Sequence, residues 1–563
     1  MAARVGPAPA TARRPRFSPI GRHFRPGPVF GKTVRDSRLG LAAVAVLLGT
    51  IVLVGGASMA QTYGSPETRR ELAFLSSTLP PVMRGLYGNP VNVDTLGGFL
   101  SWHYGAYLTL LAGLWSILAL SSTLAGEARR GSLEFVAGAP LSRRRLALEK
   151  LAGHVVALAI AVLLIGLAAW LAGAAFARLP GDAIPPAAAA GFAVGLGLKS
   201  LLAGAVAFAL ASFVGRGAAA GLAGTIMFAG FVTTSYRAVV PALAPIADLS
   251  WFAWTADHIP LAGRWDWPSL AAVGVACAVL LATGVEGFAR RDIGVTSTRR
   301  TPALPGALLG LRGPLGRSFG ERLPTALAWG VGLGIYGLVM AGASRSLTDE
   351  IARTPSLAET VRNLIPGIDM TTAGGFLQVV FVEFGFALIG LAAAMLVANW
   401  AADETLGRLE MLLATPLARG RWVVAGGLGT GLALAVTVGL LAAGIAVGAA
   451  TAGADAATPA LGTLALGVYG LALAGVGIGL GALVRASVAG PAVGVLAILT
   501  ALVDLLAPAL RLPEWIHELA LSAHLGQPMV GSWDAVGTGL CLVLGLGGLA
   551  LGGWGIRRRD IAR

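Results

Sequence analysis

The sequence predicts an all-α polytopic membrane protein, with twelve transmembrane helices arranged as two parallel six-helix repeats. Three observations point there. Apolar runs of about 20 residues recur along the chain, the length that crosses roughly 30 Å of hydrocarbon. Charged residues make up only 12% of the 563, against about 25% in a soluble domain. Short polar strings of the first half return in the second. A large soluble helical domain would need a polar stripe on most helices, and these runs lack one. The net charge of +14 would suit nucleic acid in a soluble protein. Here the position of the charges relative to the apolar runs matters more, and no nucleic-acid partner is expected.

In chain order, residues 1–38 form a basic N-terminal segment expected in the cytoplasm. Its apolar residues Phe17, Ile20, Phe24, Phe30 and Val34 suit an interfacial helix in the headgroup layer. The first transmembrane half is 39–288, with spans at 39–60, 97–122, 150–177, 185–213, 217–236 and 269–288. A basic linker, 289–324, with Pro302, Pro305 and Pro314 in its 289–322 stretch, carries a second interfacial segment with Leu311, Leu315, Phe319 and Leu323. The second half is 325–556, with spans at 325–344, 373–400, 422–450, 459–484, 486–508 and 533–556, and 557–563 is a basic tail. With the N-terminus inside, 31 of the 42 Lys and Arg fall on the cytoplasmic side, ten on the other, and Lys199 within a span. That bias puts both termini in the cytoplasm of a bacterial plasma membrane. The first apolar run is long enough to span and follows a long basic stretch, so no cleaved signal peptide is expected. The same distance argues against "ARRPRF" (12–17) as a twin-arginine signal. Cys277 and Cys541 lie in apolar runs and show neither a disulfide framework nor metal-ligand spacing.

The halves repeat each other. "GGFL" opens the second span of each, at 97–100 and 374–377, and "RRDI" closes each, at 290–293 and 558–561. Arg216 and Arg485 each follow a half's fourth span. The strongest pair is "GEARRGSLEFVAGAP" (126–140) and "ADETLGRLEMLLATP" (402–416), in the loop between second and third spans. Glu127, Gly131, Leu133, Glu134, Pro140, Leu141, Arg143 and Arg145 are matched 276 positions later by Asp403, Gly407, Leu409, Glu410, Pro416, Leu417, Arg419 and Arg421. Sidedness alone explains the arginines but not the matched acids, glycine and proline. Acid first and base last suits the dipole of a short helix. Six spans per half is an even number, so both halves enter from the same side, related by an axis along the membrane normal. A pore or cleft is expected between them.

"EARRGSLEFVAGAPLSRRRLALEK" (127–150) resembles the loop of ABC-2 type permeases, the type V exporter-like membrane subunits of one class of ATP-driven exporters. The second copy, "DETLGRLEMLLATPLARGR" (403–421), fits with Asp403 in place of Glu127, and Gly426 stands where the first copy has Lys150. The closing "RRDI" is similar to the family as well. The resemblance implies that each copy is a coupling helix gripped by an ATPase, through Glu127, Gly131, Leu133, Glu134, Pro140 and Arg143, and through Asp403, Gly407, Leu409, Glu410, Pro416 and Arg419. The duplicated single chain further resembles the actinobacterial exporters of polyketide antibiotics, the tetronasin-resistance type. That implies efflux of bulky hydrophobic antibiotics or drugs. Segments 237–268 and 509–532, before the last span of each half, are family-like and expected as re-entrant helical hairpins.

The chain has no motor of its own in this reading. "GKT" (31–33) is not a P-loop, because Gly27 stands one residue too close and no strand precedes it. The chain alone is therefore expected to be no enzyme and to hold no cofactor. ATP and Mg belong to a separate ABC ATPase, two copies of which dock, one per loop. Inside the membrane, Lys199 and Glu383 each cost roughly 3 kcal/mol or more near the bilayer centre and should face protein or a cavity. They could pair across the seam between halves, line a substrate cleft, or relay protons. Trp102, Tyr107 and Trp115 in the second span, with Phe381 and Phe384 in the eighth, serve either as packing and interfacial anchors or as the wall of an apolar cavity. The rival functions are export of a lipid or polymer, ion-coupled secondary transport through Lys199 and Glu383, and a non-transporting scaffold.

Overall fold

Hydrocarbon offers backbone N–H and C=O groups no partner, so chains cross it as helices that satisfy their own hydrogen bonds. The computed structural model describes residues 27–78, 84, 88–124, 141–238, 241–290, 313–353, 368–381, 385–510 and 513–560. Among these, twelve helices are long and apolar enough to cross a membrane. Spans 1 to 6 are Pro28–Thr62, Leu96–Thr123, Arg143–Phe176, Pro186–Val214, Ala219–Tyr236 and Trp267–Ala289. Spans 7 to 12 are Pro314–Arg345, Phe386–Thr405, Arg419–Ala452, Ala457–Leu483, Ala486–Asp504 and Ala535–Gly555.

Spans 1 and 7 start earlier than hydropathy places them. Each opens on a Gly–Pro corner, Gly27–Pro28 and Gly313–Pro314, where a proline's fixed φ and missing N–H suit the first helical turn. The stretches 28–38 and 314–324 are thus the first turns of the span helices; Phe17, Ile20, Phe24 and Leu311 lie outside the described residues. Span 8 is not one unbroken α-helix as span 2 is. Helix Ala373–Val380 is followed by π-helical residues 381 and 385, which flank 382–384 outside the described residues. Gly385 lies directly under the Phe381 ring, too close for a Cβ.

Within a half, helices meet through small residues. Span 1 packs on span 3 at Gly49 against Ala168 and Gly56 against Ala172. Among the described residues, the halves touch where span 1 meets span 11 and where span 5 meets span 7. Phe231, Val232 and Tyr236 of span 5 share a buried cluster with Leu333, Tyr336 and Met340 of span 7. On the span 1–span 11 seam Leu502 packs against the core of spans 1 to 4.

The repeated GGFL has a backbone reason. Thr95 and Thr372 cap helices Leu96–Thr123 and Ala373–Val380, accepting the N–H of Gly98 (3.1 Å) and Gly375 (3.0 Å). A Cβ on Gly98 would strike the carbonyl of Asn92, and one on Gly375 that of Asp369. Gly97 and Gly374 are met from outside, by the carbonyls of Leu261 and Met529. Those carbonyls belong to matching loops, 258–266 and 526–534. Each holds a 3₁₀ turn, Pro260–Ala262 or Pro528–Val530, ended by a left-handed glycine, Gly263 (φ 78°) or Gly531 (φ 84°). An aspartate then caps the last span: Asp266 accepts from Ser269 N–H (3.1 Å) and Asp534 from Val536 N–H (2.9 Å). The segments expected as re-entrant hairpins are built of such short turns, among them Ala244–Ala247, Trp251–Trp254 and Glu514–His517.

At the end of the bundle away from the termini, the first half has a buried ion pair. Asp182 takes both Nη groups of Arg69, at 2.8 and 3.0 Å, with side chains 1% and 3% exposed. Its carboxylate also accepts the backbone N–H groups of Leu96, Arg178 and Leu179, each at 3.0 Å. The pair ties the helix Pro66–Thr78 to the start of span 2 and the turn between spans 3 and 4. Burial alone pushes the Asp182 carboxyl up, but the bonds from Arg69, Arg178 and Leu179 outweigh it and hold it below its ordinary value. Its stabilisation is therefore complete above about 3.9, the unfolded value, and is lost as pH falls through the lower folded value. Asp182→Ala should cost about 3–5 kcal/mol by stranding Arg69, read as a lowered unfolding midpoint in detergent at neutral pH. An unchanged midpoint would refute this role.

Candidate functional site

The second copy of the repeated loop is fully described. Span 8 ends at Thr405, Gly407 turns the chain in the left-handed region (φ 69°), and Arg408–Leu413 forms a short helix. Only glycine takes that φ without strain, which accounts for Gly407. Leu409 is the helix's inward anchor, 1% exposed, while Glu410 faces solvent and Met411 is 67% exposed. Pro416 lines a cavity behind the helix, and span 9 begins at Arg419, whose guanidinium donates to the Arg559 carbonyl (3.1 Å).

Asp403 holds this corner together. It is buried and lies 3.0 Å from Arg317 and 3.7 Å from Arg408, and it accepts the Trp422 indole N–H at 3.2 Å. One carboxylate thus pins the start of span 7, the end of span 8, the short helix and the start of span 9. Nearby, Arg559 of the closing RRDI pairs with Glu404 and donates to the Gly481 carbonyl (2.9 Å). Arg559 lies in the RRDI that the repeat picks out, whereas Arg317, Trp422 and Glu404 were not singled out by sequence. Only the basic character of the linker and tail hints at them. Of the first copy, Arg143 is described, in the opening turn of span 3; Glu127, Gly131, Leu133, Glu134 and Pro140 lie outside the described residues. The same end of the first half carries Arg144 on Glu286 (2.9 Å) and Arg145 on Glu149 (2.9 Å).

The intramembrane candidates fall in different places. Lys199 is half-buried in span 4 and forms no ion pair among the described residues, while Glu383 and Phe384 lie outside them. The loop 258–266 reaches span 4, where the His258 ring covers Gly195. His258 accepts the Asp266 N–H (3.2 Å) and stands edge-on to Trp265 and Trp267. Burial holds its imidazole below the usual range; the Lys199 charge adds to this, while bonds to Gly191 and Asp266 oppose it. Trp102 donates to the Gly88 carbonyl (2.9 Å) near the start of span 2. Tyr107 is half-buried in the same helix. Trp115 packs inside the first half, between Gly40 and His154. Phe381 is 1% exposed and edge-on to Tyr336 (5.6 Å), which in turn meets Phe228 (5.6 Å). The structure thus places Phe381 on the span 5–span 7 seam and Trp115 away from it. Among the described residues, no group of three His, Cys, Asp or Glu side chains could hold a metal.

Residues 311–557 match the family model described as "Multidrug efflux system permease Rv1217c, C-terminal domain". Over 560 residues the chain is 27% identical to the "Multidrug efflux system permease protein Rv1217c" of Mycobacterium tuberculosis (strain ATCC 25618 / H37Rv), covering 94% of each. The similarity therefore spans both halves, and it is to a multidrug efflux permease rather than to the tetronasin-resistance type specifically. Asp403→Ala should free the short helix. Backbone hydrogen exchange over 406–416 is expected to quicken at least about tenfold, and unaltered exchange there would remove Asp403 from this role.

Proposed function

We propose that this chain is the membrane-spanning permease of an ATP-driven exporter of bulky hydrophobic antibiotics or drugs, in the plasma membrane of a bacterium with both termini cytoplasmic. The observation that carries the reading is the duplicated loop. Its described copy is a short helix set on a buried carboxylate, with Glu410 and Met411 facing outward. A solvent-facing acid beside an exposed apolar side chain, on a rigid seat, is what a partner's groove can grip. Because the loop occurs twice and the chain carries no P-loop, two copies of a separate ABC ATPase dock, one at 126–140 and one at 402–416. ATP and Mg sit on that partner, and this chain catalyses nothing alone.

Nucleotide binding draws the two ATPase subunits together. Each carries the short helix in its groove, at Gly131–Pro140 or Gly407–Pro416. The second and third spans of each half tilt, and the seams between halves change which side of the membrane they open to. The mostly apolar, aromatic seam around Phe228, Tyr336 and Phe381 suits a hydrophobic cargo. The multidrug efflux named for the Mycobacterium tuberculosis relative supports drugs over a lipid or polymer.

The test is assembly. Co-expressed with its ATPase, the chain should copurify with two copies of it. Glu134→Arg with Glu410→Arg should lower complex yield and drug-stimulated ATP hydrolysis about tenfold or more, the scale of a reversed charge at a docking contact. Complex formation and turnover unaffected by the double replacement would reject the docking role, and efflux by the chain with no ATPase present would reject the function.

A further inference from the structure

The two Gly–Pro corners that open spans 1 and 7 share a backbone and differ in chemistry. Gly31 N–H bonds the Gly27 carbonyl at 3.3 Å in one, and Arg317 N–H bonds the Gly313 carbonyl at 3.1 Å in the other. In the first half, the Glu149 carboxylate sits over the corner. It is in contact with Gly27, accepts Phe30 N–H (3.4 Å) and takes Arg145 Nε (2.9 Å), with the residue 9% exposed. An internal anion thus neutralises the positive end of that helix.

In the second half the residue at the position of Glu149 carries no charge. At the repeat's spacing of 276, Arg145 corresponds to Arg421, but Glu149 and Lys150 correspond to Ala425 and Gly426. A cavity of about 390 Å³ occupies the place. Gly313, Pro314, Arg317, Arg322, Arg421 and Trp400 all contribute to its wall. Two buried donors of its lining residues have no acceptor among the described residues: Nε of Arg322, a residue 2% exposed, and Nε1 of Trp400, 1% exposed. Arg421 forms no ion pair among the described residues. Glu321 and Asp403 also line the cavity, but Arg317 engages both, at 2.8 and 3.0 Å. Three guanidinium groups therefore face two carboxylates, and the unsatisfied groups are all donors. The site calls for an anionic acceptor.

Apart from Ser318, whose hydroxyl accepts from Arg322 Nη1 (2.7 Å), and Thr415, the rest of the wall is mostly apolar, Leu412 and Leu417 included. Trp400 stacks on Trp422 at 4.8 Å, a pairing suited to the headgroup level, and Leu315 and Met411 are exposed close by. Basic pockets between transmembrane helices at that depth take phosphate headgroups. We propose that the cavity binds the phosphate headgroup of an anionic phospholipid, which gives the second half the anion that Glu149 gives the first. The site does not depend on what the chain transports.

The experiment titrates the full-length protein, delipidated in neutral detergent, with phosphatidylglycerol, phosphatidylcholine and inorganic phosphate, and counts bound molecules by native mass spectrometry. One phosphatidylglycerol should bind at least about tenfold more tightly than phosphatidylcholine. Ala425→Glu rebuilds the first half's Arg–Glu pair in place, so it should abolish that preference and raise the unfolding midpoint. Arg421→Gln should weaken phosphatidylglycerol about tenfold and leave phosphatidylcholine unchanged. Equal binding of the two lipids, or full retention of phosphatidylglycerol by Ala425→Glu, would overturn the proposal. Displacement of the lipid by millimolar inorganic phosphate would overturn the lipid assignment in favour of a free phosphate site. Should Ala425→Glu fail to fold, an unchanged preference in Arg421→Gln is sufficient to reject it.

Discussion

Helices in hydrocarbon gain nothing from burying apolar surface against one another, because lipid tails are equally apolar; they associate where backbones come close. This molecule meets that constraint with glycine and alanine. In the second half, Gly475 and Gly479 of span 10 face Gly545 and Gly548 of span 12 with no room for a Cβ, and Gly444 and Gly448 of span 9 meet the backbone of span 7 at Gly334 and Gly342 with none either. The 80 glycines of the chain reflect this packing more than flexibility. A few polar contacts, such as Ser116 with His154, sit within the bundle, while most of the ion pairs lie at its ends. The caps, ion pairs and loops there decide how one half differs from the other.

The two ends have different tasks. At the end away from the termini, Thr95 and Thr372 start spans 2 and 8 in one geometry, and the loops at Leu261 and Met529 seat on the GGFL glycines. At the end that holds the termini, Asp403 gathers the start of span 7, the short helix Arg408–Leu413 and the start of span 9. Span 8, with the helix before it, therefore connects the Thr372 cap at one end to the short helix Arg408–Leu413 at the other. The helix between is continuous in the first half and has a π-helical interruption in the second. π-bulges commonly mark functional positions.

Hydropathy finds all twelve spans because a membrane helix needs only length and apolarity, both local properties. It misses their ends, which caps decide: Pro28 and Pro314 stand in polar, basic surroundings that a hydropathy window assigns to loops. It misses the interruption in span 8 because Val380 and Phe381 are equally apolar in α or π geometry. GGFL is visible as a repeat, but its cause is not, since the carbonyls that exclude side chains at Gly97 and Gly374 come from the far end of each half. The candidate site divides similarly. Asp403 and Gly407 are legible from the internal repeat, whereas Arg317 and Trp422 have no counterpart pattern and reach Asp403 only through the fold.

The exchange of Glu149 and Lys150 for Ala425 and Gly426 has a consequence for heredity as well as for chemistry. A permease assembled from two identical chains must accept each mutation twice, at both symmetry-related places, so a change useful at one and harmful at the other is closed to it. Tandem fusion removes that coupling. Each copy can then drift under its own selection while the shared scaffold persists, and a symmetric ancestor can acquire a directional, one-sided interior by single steps.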